Sequence, residues 1–152
     1  MALSQLKESV INMKLDCLES MVKDYELRTG ERISFDGFYF DENGAYKDRY
    51  NEYFKFFPNK GFLFWKLIEF DGKRYFEILQ TYGDMNVIGD YIVEVMELNG
   101  LTDIVTATTR NPKMHIRKWK MKRMPMHDYD YLGHHYYVLV GKIDALRKDS
   151  HV

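Results

Sequence analysis

This chain is short of several things. Among its 152 residues there is one cysteine, Cys17, which excludes an internal disulfide and a multi-cysteine zinc site. Cys17 reads as a buried core thiol, the commonest state of a free cysteine. Only three prolines are present, so a proline-rich linker is excluded. No charge sign dominates: 22 Lys and Arg stand against 23 Asp and Glu, a formal net charge of -1. Global attraction to nucleic acid or to an anionic membrane is therefore missing. No apolar run approaches the roughly 20 residues that span a bilayer. The first residues, Met1-Ala-Leu-Ser-Gln-Leu-Lys-Glu8, lack the charged-then-apolar layout of a signal peptide. Gly-x-Gly-x-x-Gly, Walker and Ser-His-Asp patterns are missing too.

What remains is rich in apolar and aromatic residues, at 45% and 16%, too much for a disordered chain. The length fits one domain over residues 1–152 with its own core. These features predict a soluble, cytoplasmic protein.

Leu3, Leu6, Val10, Met13, Cys17, Met21 and Tyr25 recur at helical steps, which predicts a helix over about Ser4–Leu27 stopped by Thr29-Gly30. Ile33, Phe35, Phe38 and Phe40 predict a strand over about 32–40, with Asp36-Gly37 as a bulge and a turn at Asp41–Gly44. Tyr46, Tyr50, Tyr53, Phe54 and Phe57 return to helical spacing and predict a helix over 45–57, ended at Pro58–Gly61. Phe62–Phe70 and Arg74–Gln80 flank Asp71-Gly72, a strong hairpin signal.

The turn Thr81-Tyr-Gly-Asp-Met85 then leads into an amphipathic helix over Asn86–Asn99, stopped by Gly100. A nearly continuous apolar strand over Thr102–Thr108 runs to Arg110-Asn111-Pro112, and a short helix follows. Met121–Met126 reads as a weak strand, Gly133–Ile143 as a clear one, and the tail from Arg147 as frayed. Strand, helix, strand over 74–108 implies a right-handed parallel crossover, whereas the Asp-Gly hairpin is antiparallel. A mixed sheet with helices on both faces follows.

A strand that empties into a helix start makes an anion site, because the first helical N–H groups are free and the dipole favours negative charge. Asp84 and Asn86 suit the cap position of that helix. The plain alternative is that any strand-turn-helix connection needs a glycine and a cap.

The order of elements and this turn resemble the GNAT superfamily of N-acetyltransferases, whose acetyl-coenzyme A motif reads Gln/Arg-x-x-Gly-x-Gly/Ala. Here Gln80-Thr-Tyr-Gly83-Asp-Met85 matches at Gln80 and Gly83, with Met85 in place of the last small residue. The resemblance covers about residues 62–143. It implies an α/β (α+β mixed) fold: a GNAT-like mixed, largely antiparallel sheet flanked by helices on both faces, here with an extra N-terminal helix. It implies acetyl-CoA as cofactor, held by Leu79, Gln80, Tyr82, Gly83, Asp84, Met85, Asn86 and Asn111. It also implies Glu77 as the base, with Glu69 second. The family's usual acid, a tyrosine about seven residues after the Asn, is replaced by Lys118 beside Trp119. Tyr129 and Tyr136 are the candidate acids, with Tyr131 and Tyr137 nearby.

The implied activity is acetyl transfer to a small-molecule or peptide amine. The alternative is a degenerate GNAT-like binding or assembly protein of bacteriophage or mobile-element origin, with a homo-oligomer or virion component as partner. Met85, Asp84 and the missing tyrosine favour the alternative; the spacing and Glu77 favour the enzyme.

A basic run, Arg110 to Arg123, interleaves with His115 and Trp119. It reads as a solvated face, as a phosphate contact, or as a polyanion site with Trp119 stacking. The lack of a wider basic surface argues against nucleic acid. His127, Asp128, Asp130, His134 and His135 invite a metal reading. However, adjacent histidines on a strand face opposite sides and do not suit one ion.

Overall fold

The computed structural model describes residues 18–33, 39–40, 46–47, 53–109 and 111–147. The expected elements at Ser4–Cys17, the bulge at Asp36-Gly37, the turn at Asp41–Gly44, Tyr50, Arg110 and the end of the tail lie outside that range. Helix α1 covers 18–29. Strands β1 (Tyr39–Phe40), β2 (Tyr46–Lys47), β3 (Tyr53–Phe57), β4 (Gly61–Phe70) and β5 (Lys73–Gly83) follow. Helix α2 (Met85–Asn99), strand β6 (Asp103–Thr108) and helix α3 (Lys113–Trp119) come next. Strands β7 (Lys122–Arg123), β8 (Tyr129–Tyr131) and β9 (His134–Lys142) complete the described elements, with single 3-10 turns at Pro125–His127 and Ile143–Leu146.

The strand order is β1-β2-β3-β4-β5-β6-β9-β7, with β8 on β9. Every described pairing is antiparallel except β5 with β6. This is the mixed, largely antiparallel sheet that the sequence implies. The helices lie on both of its faces. Leu63, Trp65, Phe76 and Ile78 face α2, where Ile88, Ile92 and Met96 seal them. Phe54, Phe62 and Phe64 face α1, under Leu18, Val22 and Tyr25. Burying a side chain of this size contributes about 1.5–3 kcal/mol, so these two layers carry much of the fold. Among the described residues no helix is long and apolar enough to cross a membrane.

The described residues of the expected helix over 45–57 are strands instead, β2 and β3. The spacing of Tyr53, Phe54 and Phe57 fits a helix, but Tyr53-Phe-Lys-Phe-Phe57 is also a run of strand formers. The turn decides between them. Lys60 N donates to Phe57 O at 2.9 Å and Asn59 takes a φ of 60°, which folds β3 back onto β4. Tyr53 then stacks on Trp65 at 4.5 Å.

Asp71 and Gly72 both have positive φ, at 53° and 77°, as the two-residue hairpin turn requires. Gly100 caps α2 in the left-handed region, at φ 66°. Gly89, inside α2, has a packing reason: a Cβ there would stand 3.1 Å from Trp119 Nε1. Trp119 is 1% exposed, so it is core and not a stacking platform for bases. The strand expected over Met121–Met126 shrinks to Lys122–Arg123, because Pro125 opens a 3-10 turn.

Candidate functional site

Strand β5 does not stop at Gln80 as the sequence suggests; it runs on to Gly83. A bulge makes room for the extra residues. The register steps from Trp65↔Ile78 to Leu63↔Thr81, so Leu79 and Gln80 together oppose Phe64. The extra residue inverts the alternation of side chains. Phe76 and Ile78 face α2, whereas Tyr82, beyond the bulge, stacks on Phe62 at 5.6 Å on the α1 side.

The parallel pairing of β5 with β6 ends at the same place. It holds for Phe76↔Ile104, Glu77↔Val105 and Ile78↔Thr106, where Thr106 Oγ1 donates to Ile78 O at 2.9 Å. Both strands then continue without pairing to each other. A cleft of about 440 Å³ lies there, between Thr81–Gly83, the first turn of α2, Asn111 and α3. Arg28, from the end of α1, brings a cation to its wall. Asp24 fixes that end: it takes a hydrogen bond from Tyr82 Oη at 2.6 Å and pairs with Arg28 at 3.1 Å. The Tyr82 bond, with Arg28 behind it, holds the Asp24 carboxyl below its ordinary range, and the same bond pushes the Tyr82 phenol up.

The turn residues occupy defined places. Gly83 has a φ of 110° and stands against Gly61; a Cβ would meet Lys60 O at 1.9 Å. Its glycine is thus required by the close approach of two strands. Asp84 is the cap of α2: its carboxylate accepts from Asn86 N at 2.9 Å and Val87 N at 3.3 Å. The N–H groups that would greet an anion already hold one, supplied by the chain. Asp84 N donates to Lys60 O at 2.8 Å. Met85 lines the cleft, and its carbonyl accepts from Trp119 Nε1 at 3.3 Å. Asn111 also lines the cleft, but its Oδ1 accepts from Lys113 N at 3.1 Å and so starts α3.

On the α1 face of the sheet, the candidate catalytic residues come together. Glu77 pairs with Lys66 across β4 and β5 at 3.5 Å. Strand β8 lays Tyr129 on Tyr136, with ring centroids 5.0 Å apart and planes 12° from parallel. Burial, then the charges of Glu77 and Glu31, push the Tyr129 phenol above its usual value. Burial and Glu31 do the same to Tyr136. Glu31 accepts from Tyr25 Oη at 2.9 Å and from Gln80 Nε2 at 3.4 Å, which draws Gln80 towards this cluster. The end of α1 borders both places: Arg28 lines the cleft and Glu31 faces the tyrosines. Glu69, exposed and paired in register with Arg74 near the hairpin tip, stands apart.

Arg28 and Glu31 escape sequence reasoning. They sit about fifty residues before the turn, and nothing local links them to it. The His-Asp segment resolves into two surroundings. His135 contacts Asp130 at 2.9 Å and Asp128 at 3.4 Å, whereas His134 lies beside Gly30. Among the described residues no group of three or more His, Cys, Asp or Glu is arranged to hold a metal ion. Neither a protein-family model nor a curated protein matches this chain.

Proposed function

We propose that this protein is a GNAT-like N-acetyltransferase of the cytoplasm, moving the acetyl group of acetyl-CoA to an amine. The observation that carries the reading is the parting of β5 and β6 at a bulge, with a cleft on one side and Glu77, Tyr129 and Tyr136 on the other. Parted strands leave room for an extended acyl arm to pass between them. The turn from Gln80 to Met85, the length of α2 to Gly100 and the position of Asn111 support the same family.

Acetyl-CoA supplies an activated thioester carbonyl. Glu77 takes a proton from the ammonium of the acceptor, directly or through a water. The amine nitrogen would then bond to the carbonyl carbon as the carbon–sulfur bond breaks, and on becoming the amide it would release its remaining extra proton to water. Tyr129 or Tyr136 would return a proton to the sulfur and be reprotonated from water; a tyrosine phenol is protonated at neutral pH in any case, and burial raises both further. The residues fit the arm better than the pyrophosphate. Asp84 fills the end of α2, which moves the phosphate contact to Arg28 and the turn beside it.

That cap is also the specific support for a second reading, a binding or assembly module of phage origin that has lost turnover. Like charges repel, and a carboxylate on the phosphate site weakens coenzyme binding. The two readings separate in a melting experiment. A ligand at 100 times its dissociation constant adds about 2.7 kcal/mol of stability. A melting temperature raised by acetyl-CoA supports the enzyme. A melting temperature unmoved by saturating acetyl-CoA and CoA leaves the binding module.

A further inference from the structure

The same sheet face holds an apolar cavity of about 280 Å³ floored by Ile68, Val105, Val138 and Val140, with Tyr75 at its side. Resting on the acyl-transfer reading, we propose that this cavity receives the hydrophobic end of the acceptor, so that the acceptor is a small primary amine bearing an aryl or branched-alkyl group.

Register places the cavity beside the reacting groups. Glu77 pairs with Val105, and Val105 pairs with Val140. Glu77 is therefore one strand from the floor, about 4.8 Å, and two residues from Tyr75 on the same face, about 7 Å. Tyr136 stands two residues before Val138 on β9 and shares its face. An ammonium held at Glu77 thus reaches the cavity through an arm of two or three atoms. The volume is at the low end for small-molecule pockets, about 300 Å³, and suits one ring or one branched chain.

Charge completes the match. Glu77 and Glu31 lie near enough to Tyr129 for their charges to raise its phenol, so carboxylates border this end of the cavity. Lys66 is the cation already present, at 3.5 Å from Glu77 and a third exposed. Its long stem lets the ammonium swing to water when a substrate amine arrives.

The test is calorimetry and NMR on the full chain without acetyl-CoA, with phenethylamine and ethylamine as probes. They share the ammonium and differ by the ring. The expected result is phenethylamine binding at least tenfold tighter, with shifts at Val105, Val138 and Val140. Val105→Thr, which keeps shape and adds a hydroxyl, should remove most of that preference; Tyr75→Ala, at the rim, is the second variant if the first does not fold. Equal binding of the two probes, or no binding, overturns the assignment. Self-association that Tyr75→Ala abolishes, with no probe binding, overturns it in favour of a second copy. Phenethylamine bound in the cavity but never acetylated upholds the cavity and sinks the acyl-transfer reading. Ethylamine acetylated as efficiently as phenethylamine does the reverse.

Discussion

Phe76 and Glu77 are neighbours on β5, yet they belong to two different kinds of surface. Phe76 is 0% exposed and lies on the α2 face, where Trp65 stacks on it at 5.0 Å and helix residues close the layer. Glu77 and Tyr75 are half-buried on the α1 face, where the described part of α1 packs on the Phe54, Phe62 and Phe64 end. Among the described residues one face is closed and the other is left partly open. A single strand can serve both because its side chains alternate. The sealed side holds the backbone in place, and the open side presents a carboxylate, phenols and an apolar hollow to whatever arrives. A site borne on such a strand inherits the rigidity of the core behind it.

The largest effect is expected at the core. Phe76→Ala should cost about 3–5 kcal/mol of unfolding free energy, since it empties a closed layer. Tyr75→Ala, one residue away on the open face, should cost about 1 kcal/mol or less. Urea denaturation measures both. Similar costs for the two would mean that the α1 face is sealed as well.

The next effect is on turnover. Glu77→Gln should lower acetyl transfer by about 10²-fold while acetyl-CoA binding stays the same. Arg28→Gln should do the converse. It removes a cation from the cleft wall and weakens coenzyme binding by about tenfold, an effect that shrinks as salt rises. Titration calorimetry at two salt concentrations reads it, and unchanged affinity would place the phosphates elsewhere.

Asp84→Gly sharpens the cleft itself. Replacing a capping residue by Gly costs only a few tenths of a kcal/mol. It also returns the Asn86 and Val87 N–H groups to an incoming phosphate. The expected outcome is tighter CoA binding with an almost unchanged melting temperature. Unaltered affinity would show that the end of α2 takes no part.

The smallest effect is electrostatic. Asp130 and then Asp128 hydrogen-bond His135 and raise its pKa above the ordinary value. A group raised on folding stabilises the protein below its unfolded pKa, about 6.5, and that stability is lost as pH rises through the higher folded value. Wild type should therefore melt slightly above His135→Gln near pH 5, and the gap should close in mildly alkaline buffer. A gap that widens with pH would contradict the geometry of the β8–β9 hairpin.

Local signals in the sequence reached much of this. Asp71-Gly72, the α2 stripe with Gly100 and the strand over Thr102–Thr108 each depend on neighbours within a turn or a strand. Asp84 was legible as a cap for the same local reason. Glu77 and Tyr136 entered as candidates through the family resemblance, since nothing in their local pattern marks them. What escaped depends on partners far along the chain. The strand at Tyr53–Phe57 hides behind a spacing that suits a helix equally, until pairing with β4 decides. The bulge at Leu79-Gln80 exists only in relation to Phe64. Trp119 looks like a surface aromatic inside a basic run, and only Gly89 on another helix shows why it is buried. Arg28 and Glu31 reach the site because α1 packs across β4 and β5.

The central claim is that the opening between β5 and β6 performs amine acetylation with Glu77 as base. It is tested most directly by mass spectrometry of an amine incubated with acetyl-CoA and either wild type or Glu77→Gln. The account predicts a product 42 Da heavier (the mass of an acetyl group less one hydrogen, about two carbons, two hydrogens and one oxygen) with wild type and about one hundredth as much with Glu77→Gln. Equal product from both proteins, or none from wild type with any amine while acetyl-CoA is bound, would contradict it.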